Sequence, residues 1–135
     1  MRSHLATLTL SLALGCGGAT GPVGFLEPGV WGGERVNLIV TRDSARAEFD
    51  CASGRLDWPI ALDSTGQFDV GGSYRFEAGP VGAAVPARWS GVVQPGLGGP
   101  QVTLSVTVLD PHAPPVVLGP FHLKSGVRLT LGLCA

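Results

Sequence analysis

Lysine is almost absent from this sequence: Lys124 is the only one, and the eight arginines stand singly at positions 2, 35, 42, 46, 55, 75, 88 and 128. Nucleic-acid binding needs a clustered basic footprint, so nucleic acid is excluded as a partner. Histidine is scarce as well. His4 precedes the first apolar run, His112 sits in the turn Asp110-Pro111-His112, and His122 lies between Phe121 and Leu123; none has a second His or Cys at zinc-ligand spacing. The carboxylates Asp50, Asp57, Asp63 and Asp69 read as turn and surface groups, and the segment 63–69 lacks the regular oxygen ligands and terminal Glu of an EF-hand. Ser90 has no strand-elbow-helix context of a hydrolase nucleophile. No catalytic residue, metal or cofactor is expected, and the chain reads as non-enzymatic. Also missing are an apolar run of about 20 residues, which a membrane-crossing helix requires, and any sustained helical stripe past residue 15.

What is present begins at the N-terminus. Arg2 is followed by an apolar run from Leu5 to Leu14 and by the small residue Gly15 before Cys16, the layout of a secretory signal. Leu12-Ala13-Leu14-Gly15-Cys16 resembles a bacterial lipobox. The resemblance implies cleavage after residue 15, diacylglyceryl modification of Cys16, and anchoring by two or more acyl chains, which suffice for stable membrane attachment. The alternative is an ordinary signal peptide cut nearby, leaving Cys16 as a thiol. Gly17 takes the place of the aspartate that in enterobacteria retains lipoproteins at the inner membrane. The expected address is therefore the bacterial cell envelope, at the outer membrane, facing the periplasm or the surface. Residues 1–15 are expected as the signal, 16–29 as the lipidated cysteine and a Gly/Pro-rich tether, and 30–135 as one domain. Removing the signal leaves 120 residues with eight basic and ten acidic side chains, enough for one modest core.

Export also frames the other two cysteines, Cys51 and Cys134. In an oxidising compartment a small domain supplements its core with a disulfide. Bridging the two would close a loop of just over 80 residues, worth roughly 4–5 kcal/mol at 25 °C in the chain-entropy treatment. Free buried thiols or a metal site are the alternatives, although zinc spacing is lacking.

From Val30 onward the chain alternates with a period of two, placing every second side chain on one sheet face. Val36, Leu38 and Val40 form one set; Ala45, Ala47 and Phe49 another; Leu56, Trp58 and Ile60 a third; then Phe68 and Val70. Val102, Leu104, Val106 and Val108 make the clearest instance, followed by Val116 and Leu118, Phe121 and Leu123, and Val127, Leu129, Leu131 and Leu133 as a last strand. Turns are expected at 42–44, 52–54, 63–66, 70–72 and 124–126, where Gly supplies positive φ and Asp or Ser bonds locally to the backbone. Residues 77–87, 94–100 and 110–115 are longer connections. The fold expected is all-β: an antiparallel meander of about eight or nine strands closed into a small barrel, with a β-sandwich as the alternative.

Gly29-Val30-Trp31-Gly32-Gly33, Phe49-Asp50-Cys51-Ala52-Ser53-Gly54, Asp63-Ser64-Thr65-Gly66-Gln67-Phe68 and the late Cys134 together resemble a group of small uncharacterised bacterial lipoproteins. That implies a fold and an envelope address. The Gly29-x-Trp31 pair with the late Arg128 is similar to lipocalin and avidin-like barrels. The layout of Phe49-Asp50-Cys51, Leu56 to Leu62 and Cys134 resembles the membrane-bound lysozyme inhibitors, whose Ser-Gly loop has its nearest counterpart in Gly71-Gly72-Ser73-Tyr74. Aromatics spread over most strands would meet in a closed barrel, which makes Trp31, Trp58, Tyr74 and Trp89 candidates for binding a small apolar ligand at the barrel mouth. An envelope partner protein is the other expectation. Inhibition of a lysozyme-type hydrolase and a structural or assembly role are the alternatives.

Overall fold

The computed structural model describes residues 24–77, 82–132 and 134. The signal segment 1–15, Cys16 and the tether as far as residue 23 lie outside the described residues, as do residues 78–81 of one connection and Leu133 of the expected last strand.

Ten strands follow in chain order: β1 Gly24–Phe25, β2 Gly29–Gly33, β3 Val36–Val40, β4 Ala45–Phe49, β5 Ala52–Leu56, β6 Ala61–Leu62, β7 Gln67–Phe76, β8 Val85–Gln94, β9 Gln101–Val108 and β10 Val116–Ser125. Eight of them close an antiparallel barrel in the order β10-β2-β3-β4-β5-β7-β8-β9, each paired with the next barrel strand in the chain, β5 with β7, and β10 closing on β2. The barrel resolves the choice between barrel and sandwich, and closure leaves no free edge. β1 and β6 pair separately, Phe25 opposite Ala61.

Alternation decides which side chains fill the interior. Val36, Leu38 and Val40 of β3 point inward, as do Val102, Leu104 and Val106 of β9, and all six are buried. Burying a side chain of this kind contributes about 1.5–3 kcal/mol. Trp89 of β8 is the largest filler. It lies against two inward glycines, one on β5 and one on β7: a Cβ on Gly54 would stand 2.2 Å from its indole ring, and one on Gly72 would stand 3.0 Å from its Nε1. Gly71 and Gly72, expected in a turn, therefore lie inside β7, where the missing side chain makes room for the indole. Likewise Ser53 and Gly54, expected to turn, belong to β5, and the chain reverses at residues 50 and 51 instead.

The third alternating set is divided. Leu56 ends β5, Trp58 is exposed in a bend, and Ile60 is buried where the 57–66 segment folds under one end of the barrel. This is called the lower end; the turns at 34–35 and 50–51 mark the upper end. The chain also joins the domain earlier than its Gly/Pro composition suggests. Leu26 is buried, and its N–H donates to the Ile60 carbonyl at 2.9 Å, so β1, β6 and these two side chains plug the lower end.

Residues 127–132 form no strand, contrary to the expectation from Val127, Leu129 and Leu131. Lys124 and Ser125 of β10 already pair with Gly32 and Trp31 of β2, so the barrel is closed before residue 127 and no ladder position remains. The segment instead runs as a strap over the outer face of β2 and β3, with Leu129 and Leu131 half-buried against it. It ends at the disulfide between Cys134 and Cys51, whose Cα atoms are 5.3 Å apart.

Candidate functional site

The strap shapes a groove on the outer face of β4, β5 and β7. Period-two alternation turns Arg46 and Glu48 of β4, Ser53 and Arg55 of β5, and Ser73 and Arg75 of β7 outward. Strand register then fixes their neighbours: Arg46 stands directly opposite Arg55, Arg55 opposite Ser73, and Ser53 opposite Arg75. Leu131, Gly132 and Cys134 form the wall on the strap side, and the groove encloses about 790 Å³.

Its lining carries three arginines and three carboxylates, Glu48, Asp50 and Glu77, and they are unevenly paired. Glu48 is shared, 3.5 Å from the Arg46 guanidinium and 3.9 Å from that of Arg128 on the strap. Glu77 is held by the Ser53 hydroxyl, which donates to it at 2.7 Å. Among the described residues Arg55 and Arg75 have no carboxylate within 4.0 Å, whereas Arg88 on the next strand is paired with Asp69 at 2.8 Å. Like charges directly opposite across two strands destabilise a sheet. Arg46 has Glu48 beside it, so the charge left without a partner across this pair is that of Arg55. Arginines that stand singly in the sequence are assembled here by strand register, and pairwise spacing along the chain carries no trace of it.

The upper mouth of the barrel is a second, smaller hollow of about 220 Å³. Phe49 is its centre. Its ring meets Tyr74 and Phe121 edge-on at 5.9 and 5.7 Å, and stands 6.3 Å from Trp89 below. Partial burial raises the Tyr74 phenol above its ordinary range, so it stays protonated. The rim is clamped by charge. Arg35 Nε donates to Asp50 at 2.8 Å while its Nη2 meets the other carboxylate oxygen, and Gly132 N–H donates to Asp50 at 2.6 Å. The Arg35 hydrogen bond, then that of Gly132, holds Asp50 below the usual carboxylate range. Across the rim Glu34 accepts from the His122 N–H at 2.8 Å and lies 3.2 Å from its Nδ1. Those contacts, the backbone bond first, lower the Glu34 carboxyl. Glu34 and Arg35 both adopt positive φ, 49° and 68°, in the β2–β3 turn. Such a turn favours Asn-Gly, and two residues with side chains there are strained; the anchors on His122 and Asp50 hold them in it.

The four aromatic candidates do not come together. Trp31 and Trp89 are core residues, Trp58 is exposed at the lower end, and Tyr74 lines the upper mouth. The companions of Tyr74 there are Phe49 and Phe121, which alternation marked only as apolar strand residues, and Phe76, which belongs to none of the alternating sets. Trp89 Nε1 is buried with no hydrogen-bond partner among the described residues. The carboxylates are dispersed too. Asp50 is on the upper rim, Asp57 and Asp63 are at the lower end, and Asp69 is on the outer face. Asp63 accepts from Thr65 Oγ1, Thr65 N–H and Gln67 N–H at 2.7 to 2.9 Å, bonds that lower its pKa and identify it as the cap of its own turn. His112 is exposed, its N–H bonded to Asp110. No group of three or more His, Cys, Asp or Glu side chains is arranged to hold a metal among the described residues.

Gly71-Gly72-Ser73-Tyr74, the counterpart of the inhibitors' loop, is paired on both sides within β7 and does not project. Comparison with models of protein families, with curated proteins and with solved structures returned no match.

Proposed function

We propose that this chain is a lipid-anchored protein of the bacterial envelope, without catalysis of its own, that holds an anionic segment of an envelope partner in the groove of Arg46, Arg55 and Arg75. The observation that carries the binding reading is the Arg46–Arg55 cross-strand pair with Arg75 beside it, facing a concavity with no carboxylate on Arg55 or Arg75 among the described residues. Guanidinium forks pair bidentately with carboxylate and phosphate, so either group on the partner fits. Size favours the groove over the mouth. Binding pockets usually enclose roughly 300–1,000 Å³, a range that includes the groove and excludes the aromatic hollow. With Trp89 and its neighbours filling the interior, that hollow is the apolar space at the barrel mouth among the described residues. The anchoring part of the reading rests on the lipobox-like Leu12-Ala13-Leu14-Gly15-Cys16 before a short tether.

The test is binding of the full-length protein, purified in detergent from bacterial membranes, to immobilised polyglutamate and polyphosphate. Arg55→Ser/Arg75→Ser is expected to weaken binding at least tenfold, and added salt to weaken it further for the parent chain, since surface charge is screened. Undiminished binding by the double variant would remove the groove from consideration.

A further inference from the structure

The lower end of the barrel carries large apolar side chains that the plug does not bury. Phe25 is 56 % exposed, Trp58 47 % and Leu97 95 %. They come from three separate segments: the strand that enters the domain, the bend after β5, and the β8–β9 loop. The meander sends all three to the same end, because β5 and β8 run downward to reach those connections and the chain enters β2 from below. Packing does not account for them, since Leu26 and Ile60 already close the barrel there.

The same end receives the N-terminal tether. Gly24 stands eight residues after Cys16, and eight residues fully extended reach at most about 28 Å. The ten residues of β7 extend roughly 30 Å, about 25 Å along the axis of a barrel whose strands tilt by about 35–45°. A domain held by Cys16 is therefore kept with its lower end toward the anchor, and its upper mouth reaches the same plane only with the tether stretched.

We infer that the lower end lies on the bilayer to which Cys16 is attached, with Phe25, Trp58 and Leu97 in the headgroup region. This rests on the lipid-anchored reading proposed above. Trp and Phe suit that depth because an apolar ring reaches the acyl boundary, and the indole N–H stays among polar groups. Exposed charges at this end are Glu27, Asp43, Asp57 and Asp63 against Arg42 and Lys124, with Arg46 and Arg55 one position in from the lower ends of β4 and β5. Their signs are mixed, so contact runs through the apolar side chains. The orientation turns the upper mouth away from the membrane and leaves the arginine groove on the barrel's flank, open to a partner.

Trp58 reports on this directly, because Trp31 and Trp89 are only 3 % and 0 % exposed. The full-length protein is purified from bacterial membranes, its Cys16 peptide is weighed for acyl chains, and it is reconstituted into phosphatidylcholine vesicles with or without lipid brominated near the headgroup. Expected are an acylated Cys16, a quench of Trp emission of about a third or more by the brominated lipid, and loss of that quench in Trp58→Phe. Phe25→Glu/Leu97→Glu should reduce it while the protein remains vesicle-bound through its acyl chains. An acylated protein whose emission is indifferent to brominated lipid overturns the orientation alone. A Cys16 peptide without acyl mass overturns the anchoring and the orientation with it.

Discussion

The side-chain amide of Asn37 donates to the carbonyl oxygen of Leu129 at 2.9 Å and accepts from the N–H of the same residue at 2.8 Å. Asn37 points outward from β3, yet it is only 1 % exposed and is the one buried polar side chain among the described residues. Its amide offers the strap one donor and one acceptor, as the backbone of a neighbouring strand would. The strap is thereby docked on a barrel that has no edge to which it could add.

Asn37→Ala leaves both backbone groups of Leu129 without these partners under the strap. An unsatisfied buried polar group costs about 1–3 kcal/mol, so urea unfolding should show a loss of about 2–3 kcal/mol. The Leu129 amide should exchange faster with solvent. A loss under about 0.5 kcal/mol would mean that the strap is held by its leucines and the disulfide alone.

Cutting the far end of the strap acts on the unfolded state as well. Cys51 and Cys134 are 83 residues apart, a separation for which loop closure contributes up to about 4.5 kcal/mol. Cys51→Ser/Cys134→Ser should lower the melting temperature, and β9 amides should still be the slowest to exchange, because the barrel ladder does not pass through the bridge. Parent-like stability in the double variant would show that the bridge contributes nothing to the folded chain.

Gly54 and Trp89 are coupled by shape. Gly54→Val places a branched side chain where the indole ring sits and should cost more than about 3 kcal/mol, at the severe end for overpacking. Trp89→Ala empties the barrel centre at about 3–5 kcal/mol. Trp89→Phe leaves a smaller void but removes an unpartnered buried N–H, two effects of about 1–3 kcal/mol and opposite sign. It is expected within about 1 kcal/mol of the parent in equilibrium unfolding. A Phe variant as damaged as the Ala variant would show that the indole N–H is satisfied.

The clamped rim sets an acid limit. Asp50 and Glu34 are both lowered, by hydrogen bonds from Arg35 and Gly132 and from His122. The folded state therefore binds protons less readily at these sites than the unfolded chain. Their contribution is complete above the ordinary carboxylate range and is lost as the pH falls through it to the lowered folded-state values. Side-chain NMR titration should place both midpoints below the ordinary carboxylate range. An Asp50 midpoint at the ordinary value would mean that the Arg35 clamp is open in solution.

Much of the barrel is legible in the residues. In β3, β4 and β9 strict alternation names the inward side chains correctly, and Asp63-Ser64-Thr65-Gly66 turns where its Asp and Gly require. Misreadings occurred where local chemistry has two meanings. Gly71-Gly72 looks like a turn until Trp89 is seen to need the space. The alternation of Val127, Leu129 and Leu131 looks like a barrel strand until β10 is seen to close the barrel first. Val85–Gln94, interrupted by Pro86 and Gly91, belongs to none of the alternating sets, and its residues 85–87 read as part of the 77–87 connection; it takes its strand character from β7 and β9 on either side.

A period of two depends on bonds between consecutive residues. It therefore determined by itself that the chain is all-β and which faces are apolar, and Cys51 and Cys134, read as cysteines of an oxidising compartment, pointed to their bridge. What lies across from a residue is set by register between strands tens of residues apart, which closure decides. Only the tertiary structure could place Arg46 opposite Arg55 with Arg75 beside them, cover Asn37 with Leu129, and send Phe25, Trp58 and Leu97 to one end.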